Sequence, residues 1–184
     1  ETSSYRSNPV RLAEYALSRK DPDYVNRAKA VKVDGEACVR NGKLPENVLS
    51  AIKIAIAPNT AYASFVAARK PGDGSAREQA ASCQRVLGGV ANLCKEYATK
   101  RYFSNLVNWG MLPFTCEKPD FKTGDYIYVA DIAEGIKSGE TRFIAQVFSK
   151  GTRRDVVLEL APFTADEKEI LLAGCLINYN KKKI

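Results

Sequence analysis

Residues 62–89 read YASFVAARKPGDGSAREQAASCQRVLGG, and this stretch decides the fold class. Tyr62 to Ala68 is a short apolar run, the pattern of a buried strand. Arg69 to Ala76 is polar and carries two glycines, so the chain turns there. Arg77 to about Leu87 reads as a helix, and Gly88-Gly89 ends it. A strand, a glycine-bearing loop and a helix in succession open an α/β arrangement. The same stretch is the one place where local structure predicts a binding site. Gly72 and Gly74 let the backbone turn tightly and approach a ligand closely. Ser75 falls at the mouth of the helix, where unpaired N–H groups and the dipole favour negative charge. Arg77 adds a planar fork of donors suited to a carboxylate or phosphate. Arg69 and Lys70 raise the local potential further. The bland alternative is a tight turn in which Ser75 merely caps the helix.

Upstream, residues 1–60 read as a helical lead-in. Ser7 or Asn8 can cap a first helix with Pro9 at its first position, marked by Val10, Leu12, Ala13, Ala16 and Leu17. A second helix runs from about Tyr24 to Val39, closed by Asn41-Gly42, and a third runs from Pro45 towards Ile56. Downstream, residues 61–184 form the main domain. Val90 to Cys94 is a strand, Lys95 to Asn108 a helix, and Met111 to Cys116 a strand. Asp125–Asp131, Phe143–Phe148 and Asp155–Leu160 are three further β runs, with Gly135, Gly139 and Gly151 as turn markers between them. Thr164 caps a last helix with acids in its first turn, and Lys181 to Lys183 read as its solvated end. The expected class is α/β, a mixed β-sheet or barrel flanked by helices.

Composition narrows the chemistry. The chain has 184 residues, 45% apolar and 27% charged, enough for one globular domain with a helical appendage. No apolar run approaches the roughly 20 residues of a membrane span. Histidine is absent, which excludes Ser-His-Asp and Cys-His catalysis and His-ligated zinc within the chain. The net charge of +7 favours anionic partners. Five cysteines, at 38, 83, 94, 116 and 175, include no C-x-x-C pair. They read as reduced, mostly buried thiols of a cytoplasmic protein, with no metal site among them. A start at Glu1 rather than Met leads to the expectation that the sequence is a segment of a longer protein.

Gly72-Asp73-Gly74-Ser75-Ala76-Arg77-Glu78-Gln79-Ala80 resembles the G-E-G-S-S-R-E-H-A signature of the aconitase family's C-terminal swivel domain. The resemblance continues through Leu87-Gly88-Gly89, Ser104-Asn105-Leu106 and Gly110-Met111-Leu112-Pro113-Phe114, where family members carry L-G-G, T-N-L and G-L-L-P-L. Gly124-Asp125-Tyr126 and Ala173-Gly174-Cys175-Leu176-Ile177-Asn178 resemble the family's G-D turn and its A-G-x-x-L-N ending. Residues 70 to 184 are covered by it; the helical lead-in is not.

The resemblance implies a hydro-lyase that moves water across a carbon–carbon double bond of a di- or tricarboxylic hydroxy acid. It implies that Ser75 is the base and that Arg77 binds a substrate carboxylate, with Gly74 and the backbone of Ala76 beside them. Arg69 is a stand-in for a second substrate-binding arginine. No cofactor is expected on this chain. The resemblance implies a [4Fe-4S] cluster on other domains, of the same polypeptide or of a separate large subunit, without which this chain would have no turnover. Ala76 stands where the signature has a second serine, and Gln79 where it has histidine. The S-F-A-R-I-H stretch reads Glu96-Tyr97-Ala98-Thr99-Lys100-Arg101. These departures leave the substrate open, and with it two other readings: an inactive relative, or an RNA-binding regulatory module. Against the latter, no RNA-binding motif is present, and Tyr97, Tyr102, Phe103 and Trp109 are read as core or interface residues rather than nucleobase platforms. Nucleic acid and membrane are therefore not expected partners.

Overall fold

The computed structural model describes Tyr5 and residues 7–182. A six-stranded mixed sheet has the order β1-β2-β3-β6-β5-β4. Strand β1 (Ser64–Ala68), helix α4 (Arg77–Val86), strand β2 (Gly89–Cys94), helix α5 (Lys100–Asn108) and strand β3 (Leu112–Thr115) form a parallel β-α-β-α-β unit. Strands β4 (Tyr126–Val129), β5 (Arg142–Ser149) and β6 (Thr152–Glu159) are antiparallel to one another. The two halves join where Thr115 of β3 pairs with Glu159 of β6, antiparallel. Lys150 and Gly151 both take positive φ, +46° and +82°, the twist of a two-residue hairpin turn, and so fix the β5–β6 register.

The main core lies on one face of this sheet. Ala91, Leu93, Phe114, Phe143, Ala145, Leu158 and Leu160 are buried together there under Ile136. Ile136 belongs to helix α6 (Ile132–Ser138), which the sequence reading missed by taking Gly135 for a turn. A helical glycine costs about 1 kcal/mol relative to alanine. Here it is required, because a Cβ at Gly135 would lie 2.5 Å from the Phe143 ring. The glycine lets α6 lie directly on β5.

Lead-in helices α1 (Pro9–Ala13) and α2 (Tyr24–Asn41) rest on α4. Ala13, Tyr24, Val25 and Ala28 share one buried cluster with Cys83 and Leu87. Asn8 caps α1 through its side chain, with Pro9 following as expected. Yet α1 ends at Ala13 rather than Leu17, whose φ is +56°. Helix α3 (Glu46–Ile52) is likewise shorter than expected, closed by Lys53 at φ +47°. Its Val48 and Ile52 pack on Phe148 with Tyr62, Tyr126 and Tyr128.

At the carboxyl end, Thr164 and Glu167 form a capping box on α7 (Ala165–Ala173). Gly174 separates α7 from α8 (Leu176–Lys181), and Ile170 and Tyr179 are buried against Val107 of α5. Lys183 of the terminal lysine run lies outside the described residues. Cys38, Cys83, Cys94 and Cys116 are buried thiols and Cys175 is half-buried. Burial pushes the Cys83 and Cys94 thiols up to about 11, so both stay protonated and unreactive near neutral pH.

Candidate functional site

Parallel neighbours β1 and β2 deliver both their outgoing loops to one edge of the sheet. In open α/β sheets this carboxyl edge is where ligands bind, because loops and helix N-termini converge there. The loop after β1 leads to α4, and the loop after β2 leads to α5. They are laced together by backbone: Lys95 donates to the Arg69 carbonyl at 3.1 Å and Ala98 to the Pro71 carbonyl at 2.9 Å. Helix α5 starts at Lys100 and not at Lys95 because Thr99, in extended conformation, caps it there, while the N–H groups of residues 95, 96 and 98 bond to the neighbouring loop.

Thr99 completes the junction. Its hydroxyl accepts from the Tyr102 N–H at 3.2 Å, capping α5, and donates to the Gly72 carbonyl at 3.2 Å. Sequence reasoning did not find this residue. The signal was a threonine just before a helical stretch, obscured because the helix was expected to begin five residues earlier.

Ser75, Gly74, Asp73 and Ala76 are exposed, and Arg77 is half-buried. A Cβ at Gly74 would touch nothing within 4 Å, so the loop tip faces open space. The cap of α4 is Ala76, and no side chain caps this helix. The N–H groups of Arg77, Glu78 and Gln79 have no backbone partner among the described residues. Ser75 therefore does not cap the helix. Instead an unblocked helix N-terminus opens beside a free hydroxyl and a guanidinium.

The surrounding charge is positive. Lys70 pairs with Glu96 at 2.9 Å, and this hydrogen bond and charge hold the Glu96 carboxyl below its ordinary range. Lys95 and Arg69 push it in the same direction, which places three cations around one acid. Arg69 and Arg77 have no ion-pair partner among the described residues. Such a constellation can hold a carboxylate or phosphate and stabilise negative charge on an adjacent oxygen. The described residues include no group of three or more His, Cys, Asp or Glu that could hold a metal ion. None of residues 69–77 lines the 690 Å³ cavity, which lies between β1, β4 and helices α2 and α3.

The four aromatics singled out above lie within the fold. Tyr102 is 2% exposed and Tyr97, Phe103 and Trp109 are half-buried. Trp109 donates its indole N–H to Glu78 at 3.0 Å, joining the end of α5 to the start of α4. No helix among the described residues is long and apolar enough to cross a membrane.

Comparison with known proteins gives four findings. The profile of the family described as aconitase C-terminal domain matches residues 28–119. The chain is 30% identical over 120 residues to the methanogen homoaconitase small subunit of Methanocaldococcus jannaschii, across 65% of this chain and 62% of that protein. It is 30% identical over 123 residues to a putative mitochondrial aconitate hydratase of Emericella nidulans, across 64% of this chain but 15% of that protein. In three dimensions it resembles the crystal structure of a 3-isopropylmalate dehydratase from Methanocaldococcus jannaschii. The TM-score is 0.57 at 20% identity, covering 96% of this chain and 78% of the other, a likeness of fold. The matches thus span less than two thirds of these curated relatives.

Proposed function

The chain belongs to the aconitase C-terminal domain family, and from that membership we propose that it is the swivel portion of a hydro-lyase acting on a di- or tricarboxylic hydroxy acid. Ser75 is the base that takes the carbon-bound proton, and Arg77 binds a substrate carboxylate. Gly74 and the backbone of Ala76 shape the loop against the substrate, and Arg69 supplies further positive potential. The observation that carries this reading is the unblocked N-terminus of α4, open to solvent beside Ser75 and Arg77.

A serine hydroxyl is a poor base, so magnitudes decide whether the assignment is reasonable. A helix dipole offers up to about 2 kcal/mol to a nearby anion. That is about 1.5 pK units, far short of what a serine alkoxide needs. Directed N–H donors contribute about 3–4 kcal/mol each in a water-excluded site. The free N–H groups of Arg77, Glu78 and Gln79, together with the Arg77 cation, therefore outweigh the dipole. They reach full strength only when a partner surface covers the loop, because the loop is exposed in this chain. As the C–H bond breaks, its proton goes to the Ser75 oxygen, its electron pair becomes the new π bond, and hydroxide leaves from the neighbouring carbon.

Among the described residues no group of three or more His, Cys, Asp or Glu is placed to hold a cluster. An iron–sulfur cluster on the completing domain or large subunit would supply Lewis-acid activation of the departing hydroxyl. This chain's contribution is the base, the carboxylate grip and the positive field. The relatives include both a protein named as a small subunit and a much longer chain, so either form of partner suits the reading.

A second reading rests on Ala76 and Gln79. Ala76 has no hydroxyl to offer a substrate where the resembled signature carries a second serine, and Gln79 stands where it carries histidine. A relative that retains the fold but not turnover would show these features. One experiment separates the readings: assay the chain assembled with its cluster-bearing partner against hydroxy di- and tricarboxylates by ultraviolet absorbance of the unsaturated product. The proposed function gives turnover that Ser75→Ala reduces by about 10³-fold, within the range for removal of a general base. Wild-type turnover that survives in Ser75→Ala overturns the assignment of the base. A cluster-loaded assembly with no turnover on any acid favours the inactive relative.

A further inference from the structure

Three polar side chains are buried together behind the loop that carries Ser75. Gln84 of α4 is 6% exposed, Asn92 of β2 is 1% exposed and Tyr102 of α5 is 2% exposed. The Tyr102 hydroxyl accepts from the Gln84 amide at 3.0 Å and from the Asn92 amide at 2.8 Å. The other ends of both amides, Gln84 Oε1 and Asn92 Oδ1, have no hydrogen-bond partner. A polar trio half satisfied in this way is a poor source of stability, since apolar residues of the same shape would be equal or better. What it does provide is direction: the phenol ring is held from two different elements.

That ring faces the loop. A Cβ at Gly72 would lie 2.5–2.7 Å from the Tyr102 Cβ, Cγ and Cδ1 atoms, so the Gly72 backbone rests directly on the tyrosine. Gly72 also has φ +96°, a conformation that side-chain-bearing residues rarely adopt. The same tyrosine's N–H is bound by Thr99, whose hydroxyl holds the Gly72 carbonyl. Tyr102 thus touches the loop through its ring, through Thr99, and through Gln84 on the helix whose N-terminus follows Ser75.

We propose that Tyr102 is a positioning residue that sets the Gly72–Arg77 loop against the N-terminus of α4, with Gln84 and Asn92 as the clamp on its hydroxyl. The proposal rests on the reading of this loop as the reactive one. Its core is geometric, however, and is tested without turnover. Tyr102→Phe keeps the ring and removes the clamp. The N–H of Ala98, which the Pro71 carbonyl holds, reports whether the loop stays attached.

The experiment measures hydrogen exchange at Ala98 in three proteins besides the wild type. In Tyr102→Phe the exchange speeds up by about 10-fold or more, with some loss of thermal stability from the two stranded amides. In Tyr102→Phe combined with Gln84→Leu and Asn92→Leu, stability returns towards wild type while Ala98 exchange stays fast. In Leu158→Ala, a core substitution in the other half of the sheet, stability falls but Ala98 gains no local exchange. Exchange that is unchanged in Tyr102→Phe, or that recovers together with stability in the triple variant, overturns the proposal and leaves Tyr102 a structural residue.

A second arm uses the assembled enzyme. There Tyr102→Phe lowers kcat by up to about 100-fold, as for small misplacements of reacting groups, with KM within about 3-fold. An unchanged kcat in a protein that does turn over also overturns it. If the wild-type assembly shows no turnover, it is the hydro-lyase reading that fails, and the exchange arm decides the positioning role by itself.

Discussion

The parallel and antiparallel halves of the sheet do different work. In the parallel half, β1 and β2 run side by side, so their outgoing loops meet at one edge and interlock through Lys95, Ala98 and Thr99. Two helices follow these loops, and one of them, α4, begins without a capping side chain. In the antiparallel half, β5 turns into β6 through two residues, a connection too short to hold a ligand. Its contribution is the core: Phe143, Ala145 and Leu158 are buried there with Phe114 of β3. Parallel connections require long crossovers and therefore gather loops and helix ends at one edge. Antiparallel hairpins use short turns and do not. The proposed site accordingly lies on one side of the sheet and much of the burial on the other.

The division can be broken by substitution. Leu158→Ala removes a 1%-exposed side chain from the antiparallel half and is expected to cost about 2–5 kcal/mol in chemical denaturation. Turnover per folded molecule should be unchanged; a matching loss of kcat would show the halves to be coupled. Arg77→Lys acts only on the parallel half. It exchanges the guanidinium proposed to grip a substrate carboxylate for a point charge and is expected to raise KM about 10-fold, roughly 1.4 kcal/mol, with little change in melting temperature. Thr164→Ala removes the capping box of α7 and should cost about 1 kcal/mol without any kinetic effect.

The smallest effect at neutral pH comes from the thiols. Cys83 and Cys94 are raised to about 11 by burial, so the folded state resists their ionisation. Stability from this source is complete below the ordinary thiol pKa near 9 and is lost as pH rises towards 11. A denaturation series from pH 7 to 11 should therefore be flat at first and then fall. Replacing both cysteines by alanine should flatten the alkaline part. A fall that persists unchanged in that variant assigns it to other groups, such as Tyr24 and Tyr62, which burial raises to about 12.

Much of the parallel half was legible before its structure. The β1–loop–α4 succession, the strand before Lys95 and the positions of Ser75 and Arg77 all follow from local pattern. The clamp around Tyr102 was not, although Tyr102 was read as a core or interface residue and is buried. Thr99 and Gly72 are 27 residues apart, and a hydrogen bond at that separation leaves no periodicity to read. The antiparallel half was legible as three strands, but α6 was hidden because Gly135 carries the local signature of a turn. Only the Phe143 ring lying against that glycine explains why a helix accepts it.

Local sequence was enough to read most of the strands, the glycine-bearing loop with its cations and hydroxyl, and the absence of imidazole. Those properties depend on neighbours within a few residues, where side-chain alternation, capping and turn preference act. Tertiary structure alone decided that β6 inserts between β3 and β5, that α1 and α2 rest on the back of α4, and that Gly72 sits on a clamped tyrosine. Each of these is a contact between distant residues. It is selected by the burial and hydrogen bonding of the whole chain at once, and no local stretch contains it.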